Sequence, residues 1–490
     1  MHTDQQRQPE PQLDQAQRAA VTELLRVVPV LGQLAGRFAA AGHSLALVGG
    51  PVRDALLGRH SDDLDFTTDA RPEQVLRLVQ GWAEAVWDVG IAFGTVGAQK
   101  DGAKLEITTF RSEAYDRESR KPEVAYGDSI QDDLFRRDFT VNAMAVRLTA
   151  DAEDFEFVDP YGGLADLDAG VLRTPGTPEM SFSDDPLRMM RAARFAAQLG
   201  FDVAPEVRTA MTAMAERLTI VSAERVQVEL SKLLLAPDPR AGLTLLVDTG
   251  LAEFVLPELP KLRLEVDEHH RHKDVYEHTL TVLEQAIALE TDGPDLILRL
   301  AALLHDIGKP ATRRFEEGGG VSFHHHEVVG AKMVRKRLRE LKYSKEIIGD
   351  VADLVFLHLR FHGYGKGEWT DSAVRRYATD AGPLLSRLHK LVRADCTTRN
   401  KRKAQNLQSS YDELEERIAR IAADEDLARV RPDLDGNEIM RLLNVPPGPI
   451  VGQAWKFLKD LRLDRGPLEH DVAVAELFTW AREQGVDVPD

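Results

Sequence analysis

The sequence predicts an α+β protein in which a small mixed-sheet head precedes an all-helical remainder. Three observations lead there. Between Leu45 and Val158, short apolar runs at strand period alternate with turn residues. Beyond Asp184 strand signals nearly vanish, and apolar residues recur at three- and four-residue steps. The 490 residues, 43% hydrophobic and 29% charged, suffice for about three structural units and exclude a largely disordered or collagen-like chain.

The elements follow in order. Residues 1–12 form a polar tail. Val21, Leu24, Leu25, Val28, Leu31, Leu34 and Phe38 mark an amphipathic helix over 13–41, broken near Pro29. Leu45–Val48 is a buried strand that runs into Gly49-Gly50-Pro51 and a helical turn to Leu57; Asp63–Thr67 is a second strand. Gly94–Lys100 and Lys104–Phe110 alternate around Asp101-Gly102, a hairpin signal. Residues 111–133 carry eleven charged side chains among twenty-three, which predicts a mobile loop. Val141–Leu148 and Phe155–Val158 complete the head. Helices are expected over 184–199, 205–218, 223–235, 239–251, 276–289, 296–306, 326–341, 347–361, 372–380 and 384–423. The chain thus divides at 1–42, 43–172, 173–260, 261–400 and 401–490.

Sixty-two basic against eighty acidic side chains give a net charge of −18, which excludes a uniformly basic nucleic-acid coat. Any nucleic acid must meet a local positive patch. A single cysteine, Cys396, excludes an intramolecular disulfide and a cysteine-based zinc cluster. Neither an apolar signal core nor an 18-residue apolar window is found, so a cytoplasmic protein with no membrane partner is expected.

The most informative stretch runs from Leu47 to Arg59 and on to Asp63-Leu64-Asp65. Gly49 and Gly50 leave a strand and open a helix, where backbone N–H groups can close on a phosphate; Arg53 follows one turn later. Asp63 and Asp65, two apart on a strand, leave the same face, and paired carboxylates repel unless a cation lies between them. Mg²⁺ binds through carboxylates and substrate phosphates, so cradle and pair together imply metal-assisted nucleotidyl transfer. Separately, each is a tight turn or a surface Asp-x-Asp. Glu106 is either a third oxygen ligand or a solvated edge residue.

Further along, Arg136-Arg137-Asp138-Phe139-Thr140-Val141-Asn142-Ala143-Met144-Ala145 resembles the class II tRNA nucleotidyltransferases, the CCA-adding enzymes, and the related bacterial poly(A) polymerases. Asp159-Pro160-Tyr161-Gly162-Gly163 with Asp166-Leu167, the run from Asp184 to Phe195, and Glu224-Arg225 with Glu229-Leu230 extend the likeness over most of the chain. The resemblance implies a nucleotidyltransferase head and a helical neck. It implies that Arg137, Asp138 and Asn142 contact the sugar and phosphates of an incoming nucleotide, and that Asp159–Gly163 serves as a joint. It also implies that Asp185 and Arg188 read the base. Chemistry agrees: a carboxylate accepts from an exocyclic amine while a guanidinium donates to a ring nitrogen, so one pair reads cytosine and adenine and mismatches uracil and guanine. An i,i+3 surface ion pair is the plainer reading. Arg191 and Arg194 continue that face as candidates for triphosphate or RNA, whereas Glu224 and Arg225 are expected to brace the neck.

His278, His305-Asp306, His326, His358 and Asp395 lie in separate expected helices. Their order is similar to that of the HD phosphohydrolases, which implies an HD-type helical domain holding one or two divalent metals. Imidazole and carboxylate suit a transition metal. His324 and His325 are expected to be solvated. Lys332–Lys345 carries seven basic residues and one acidic, and Arg399, Lys401, Arg402 and Lys403 form a second cluster; each is an RNA patch or a solvated helix face. Pro447–Gly452 opens a helix that offers free N–H groups to a phosphate or is simply capped.

The expected activity is addition or repair of the 3′-terminal CCA of tRNA from CTP and ATP with Mg²⁺, with no obligate protein partner. Gly90-Ile91-Ala92-Phe93-Gly94-Thr95-Val96 resembles the CCA-adding form rather than the poly(A) polymerase form. A poly(A) polymerase of the same superfamily is the nearest alternative, enzymes adding only CC or only A stay open, and a phosphohydrolase whose head only binds RNA is the alternative from another class.

Overall fold

The computed structural model describes the chain except residues 1–11, 60–62, 89, 92–93, 114–123, 128, 152, 264–273, 316–320, 362–368, 398–399, 426–430 and 489–490. Ala92, Phe93 and Arg399 therefore lie outside the described residues, as do the side chains of Lys401 and Lys403. The chain divides into two units, residues 1–255 and 256–490.

In the first unit, helices Gln15–Val27 and Val30–Ala40 meet at Pro29 with a bend of 85°. Proline has no N–H to continue the helical ladder, and the break falls where the sequence places it. Among the described residues no single helix is long and apolar enough to cross a membrane.

The head is built on nine strands: β1 Leu45–Val48, β2 Asp63–Thr68, β3 Ala85–Trp87, β4 Thr95–Lys100, β5 Ala103–Thr109, β6 Arg111–Glu113, β7 Val124–Tyr126, β8 Ala145–Arg147 and β9 Glu156–Val158. Seven form one mixed sheet in the order β3-β4-β5-β2-β1-β8-β9, with only β2 and β5 parallel. Leu64 and Phe66 of β2 and Leu105 and Ile107 of β5 turn inward, which leaves their alternate neighbours on the opposite face. Asp101 (φ 49°) and Gly102 (φ 79°) close the β4–β5 hairpin in the left-handed region.

Four expectations change. Residues 111–133 are not one loop: β6 pairs with β7, and a helix, Ile130–Phe135, starts at Ser129. Ile130 and Leu134, one turn apart, drop into the core against Val48 and Phe110, a signal too short for periodicity to register. The strand expected over Val141–Leu148 shrinks to β8, because Thr140–Asn142 winds into a 3₁₀ turn that delivers Asn142 to its partners. The helix expected over 184–199 begins only at Leu187, after an unexpected helix Pro178–Asp184, with Asp185 extended between them (φ −144°, ψ 101°). Pro186 disfavours the helical region for the residue before it. Leu384–Ala423 likewise splits into Leu385–Ala394 and Lys401–Glu425.

The second unit is almost entirely helical. Val275–Ala288, Leu296–Leu304, His326–Glu340, Lys345–Leu357 and Leu385–Ala394 form its first part. At its end, Gly436–Leu443, Pro449–Arg465 and His470–Glu483 bury Ile439, Leu443, Ala454, Leu458, Ala473 and Leu477 between them.

Candidate active site and metal centre

The parallel register of β2 and β5 pairs Asp65 with Glu106 and Asp63 with Lys104. Register partners in a parallel pair share a face, so Asp63, Asp65 and Glu106 all stand on the face opposite the buried Leu64 and Leu105. Burial pushes the Asp65 carboxyl above its ordinary value; Arg137 and Arg191 oppose this, while Glu106 and Asp63 add to it by like-charge repulsion. Three carboxylates gathered on one face favour a cation between them.

Beside them, β1 is followed by Gly49, in a positive-φ conformation (73°). A Cβ there would lie 2.9 Å from Nη1 of Arg137, so glycine is what lets this guanidinium lie over the turn. Arg137 is held by Asp133, at 3.5 Å, and Asp133 also accepts from Thr67 Oγ1 at 3.1 Å.

A chain of charge-assisted hydrogen bonds runs beneath. Arg53, buried, donates through Nε and Nη2 to Asp54 and through Nη1 to Asn142 Oδ1 at 2.7 Å. Asn142 Nδ2 donates to Asp138 Oδ1 at 2.9 Å, and Arg191 Nε donates to Asp138 Oδ2 at 2.7 Å. Arg194 Nε donates to Glu229 at 2.6 Å, and Arg191 lies 3.8 Å from the same carboxylate. Burial alone would raise the Asp138 carboxyl, but the Arg191 charge and the bonds from Asn142 and Arg191 hold it far below the usual range. Asp138 in turn raises Arg191, whereas burial lowers Arg194 despite Glu229. The frame joins the Arg-Arg-Asp-Phe-Thr segment to the helix Leu187–Leu199. Asp159, buried, caps the next helix by accepting from Gly163 and Leu164 N–H.

Asp185 and Arg188 do not bond each other through their side chains. Asp185 Oδ2 accepts from Arg225 Nη2 at 2.7 Å, and its Oδ1 accepts from Leu187 N–H at 3.2 Å. Arg188 Nη1 donates to Ser181 Oγ at 2.9 Å, and its Nη2 donates to the Arg136 carbonyl. Burial, with the charges of Arg111 and Arg188, pushes Arg136 down to about 10.

In the second unit, His278, His305 and Asp395 form one group able to hold a metal ion, and Asp306, His326 and His358 another. Within each group the ligand atoms lie within 4.8 Å of one another. The Nδ1 atoms of His305, His326 and His358 face the carbonyls of Ala302, Phe323 and Val355 at 2.8, 2.8 and 2.6 Å. A carbonyl accepts only from N–H, which assigns the proton to Nδ1 and the lone pair to Nε2. All three Nε2 atoms are buried without a hydrogen-bond partner, and those of His305 and His326 lie 3.2 and 3.3 Å from Asp306 oxygens. Lone pairs facing a carboxylate fit a cation between them. Burial opposes a charged His305, yet Asp306 and Asp395 raise it; burial and His305 push His358 down to about 4. Burial would raise Asp306 too, but His305, His326 and Lys309 hold it well below the usual range; Lys309 Nζ lies 2.6 Å from it. The donor set fits one or two transition-metal ions.

Residues 45–173 match the poly A polymerase head domain, 200–262 the "probable RNA and SrmB-binding site of polymerase A", and 275–400 the HD domain. An A-adding tRNA nucleotidyltransferase of Deinococcus radiodurans is 34% identical over 447 residues, which is 89% of this chain and 96% of that protein. The chain belongs to the tRNA nucleotidyltransferase family. A CCA-adding enzyme of Streptococcus thermophilus is 30% identical over 94% of this chain and 98% of its own. The crystal structure of the Bacillus stearothermophilus CCA-adding enzyme in complex with CTP superposes with a TM-score of 0.66 at 25% identity, covering 94% of this chain and 98% of that one.

For a tRNA nucleotidyltransferase, four residues matter that sequence reasoning left aside or assigned elsewhere. Asp133 holds Arg137, and its spacing of four from that arginine was a readable signal. Ser181 and Arg225 hold Arg188 and Asp185, and no local spacing announces such long-range partners. Lys309 bonds Asp306 three residues away.

Proposed function

We propose that the chain adds or repairs the 3′-terminal CCA of tRNA from CTP and ATP, without a nucleic-acid template, by Mg²⁺-dependent nucleotidyl transfer. The observation that carries this reading is the shared face of Asp63, Asp65 and Glu106 beside Gly49 and Arg137. Asp63 and Asp65 hold the metal, and Glu106 supplements them. Magnesium, when bound, neutralises the triphosphate and eases deprotonation of the attacking hydroxyl. Arg137 and the Gly49–Gly50 backbone take phosphate oxygens. Arg53, Asn142, Asp138, Arg191 and Arg194 form the rigid bed that keeps the α-phosphate in line with the RNA 3′-hydroxyl. That hydroxyl attacks the α-phosphorus, the bond to the β-phosphate oxygen breaks, and pyrophosphate leaves. Asp185 and Arg188 read the base.

The test is incubation with tRNA lacking its CCA end and each labelled nucleotide in turn. Incorporation of CTP and then ATP supports the reading. Use of ATP alone, and only after a 3′ CC, makes the chain an A-adding enzyme, as the Deinococcus relative is named. ATP tailing of any RNA makes it a poly(A) polymerase. Asp65→Ala should lower turnover by about 10³-fold or more, since the metal's charge stabilisation is lost with it.

A second reading concerns the HD domain. The three unpaired Nε2 atoms favour a bound divalent transition metal there and phosphoester hydrolysis, independent of the head.

A further inference from the structure

Asp185 and Arg188 each hang from other residues rather than from each other, and the arrangement has a direction. The carbonyl of Ser181 accepts both the Asp185 N–H, at 3.1 Å, and Arg188 Nη1, at 3.3 Å. Ser181 Oγ accepts from the same Nη1 at 2.9 Å. The backbone N–H of Arg188 donates to the Asp185 carbonyl at 3.0 Å, so the two side chains start from one short frame around Pro186. A carboxylate otherwise rotates broadly about its last torsion. Here one oxygen is fixed by Arg225 and the other by the Leu187 N–H, which sets the plane of the group. Each carboxylate oxygen has two lone pairs, so both keep acceptor capacity for an exocyclic amine. On Arg188, Nη1 and Nη2 are engaged, while Nε has no partner among the described residues and remains for a ring nitrogen.

We propose that Arg225 and Ser181 are specificity-determining positioning residues: Arg225 sets the plane of the Asp185 carboxylate, and Ser181 sets the Arg188 guanidinium. This rests on the reading of Asp185 and Arg188 as the base-contacting pair. Selectivity for cytosine and adenine over uracil and guanine depends on the order of acceptor and donor along the base edge. A pair free to rotate could exchange that order for a neighbouring water or a tilted base, and discrimination would fall before binding does. Arg225 is suited to this task because its side chain is 53% exposed and Asp185 27%, so their bond contributes little to folding. Its value lies in orientation.

The experiment measures kcat/KM for CTP, ATP, UTP and GTP on tRNA acceptors, in the full chain and in Arg225→Gln, Arg225→Lys, Ser181→Ala and Asp185→Ala. Arg225→Gln and Ser181→Ala should each lower the ratio of correct to incorrect nucleotide by about 10- to 100-fold, the penalty of slight misplacement. The loss should fall on kcat for the correct nucleotides more than on KM, because triphosphate contacts are untouched. Arg225→Lys, which keeps a donor to Asp185, should recover most of the ratio. Thermal unfolding of each variant guards against a folding defect. If Asp185→Ala abolishes discrimination while Arg225→Gln, folded as the parent, keeps it, the proposal is overturned and the base-reading pair stands. If Asp185→Ala also leaves discrimination unchanged, the pair itself has been misread, and the proposal goes with it.

Discussion

At Asp138 a buried carboxylate sets an acid limit on the head. It accepts from Asn142, from the Phe139 N–H and from Arg191, and these hold it far below the roughly 3.9 of a free aspartate. A depressed folded value stabilises the protein fully above the unfolded pKa, and that stability is lost as pH falls toward the folded value. The transition of the first unit, to be recognised as the one that Mg²⁺ and CTP should raise, should therefore weaken progressively below about pH 4. Asp138→Asn should flatten that dependence. It should also cost about 3 kcal/mol at neutral pH, the low end for breaking a buried pair, because the Arg191 side chain keeps 35% exposure. Thermal unfolding across pH 2.5–7 checks both points, and an unchanged acid limb in the variant would show that other carboxylates govern it. Asp138 itself was legible from the Arg-Arg-Asp-Phe-Thr segment. Of its partners, the Phe139 N–H and Asn142 belong to the same segment, whereas Arg191 reaches it only through folding, across 53 residues.

At the scale of elements, the sequence marked several strands and helices by their period. Two C-terminal helices, Gly436–Leu443 and His470–Glu483, go unread although their apolar residues recur at helical steps, and Pro449–Arg465 is read only at its opening. β1, β2 and the β4–β5 hairpin stand where alternation and Asp101-Gly102 place them. β3, three residues long, and the six-residue helix at Ile130 are too short to show a repeat. Pro186 was in view, and its consequence for Asp185 could have been read from it. The basic helix His326–Glu340 illustrates the same boundary. Its charge was countable, as was the i,i+3 pair of Arg337 with Glu340, but its long-range partners were not: Arg335 pairs with Asp353 and Arg337 with Glu258. Lys332, Lys336 and Arg339 remain exposed at spacings of four and three, one face of the helix. If this face meets tRNA phosphates, replacing all three by glutamine should weaken tRNA binding at low salt. The slope of log K against log salt should then shrink by about 2 to 3, close to one per lost contact. Filter binding across a salt series measures it. An unchanged slope would return these cations to the role of a solvated face.

Across the whole molecule the two candidate metal sites lie in different units, and their chemistry differs in kind. Asp63, Asp65 and Glu106 offer only oxygen on an accessible sheet face, the donor set of Mg²⁺. The HD site offers four imidazoles and two carboxylates, with three Nε2 atoms buried and unpaired in the folded chain. A buried unpaired polar atom destabilises the fold until its partner arrives, so a fitting metal must stabilise this unit by an amount that grows with the logarithm of its free concentration above Kd. At a free metal concentration of 100 Kd the gain is about 2.7 kcal/mol. For a unit of this size that is a rise of roughly 5–11 °C in its unfolding midpoint. Mn²⁺, Ni²⁺ or Zn²⁺ titrated into chelator-treated protein should raise one calorimetric transition by this amount. His326→Ala or His358→Ala should remove most of the shift, and Asp63→Ala none of it, because Asp63 lies in the other unit. Metal-dependent hydrolysis of a simple phosphodiester should follow the same pattern, lost with His326 and retained without Asp63. A shift that followed Asp63 instead would place the metal in the head. No shift with any of the three ions would leave the buried imidazoles without the cation that their geometry fits.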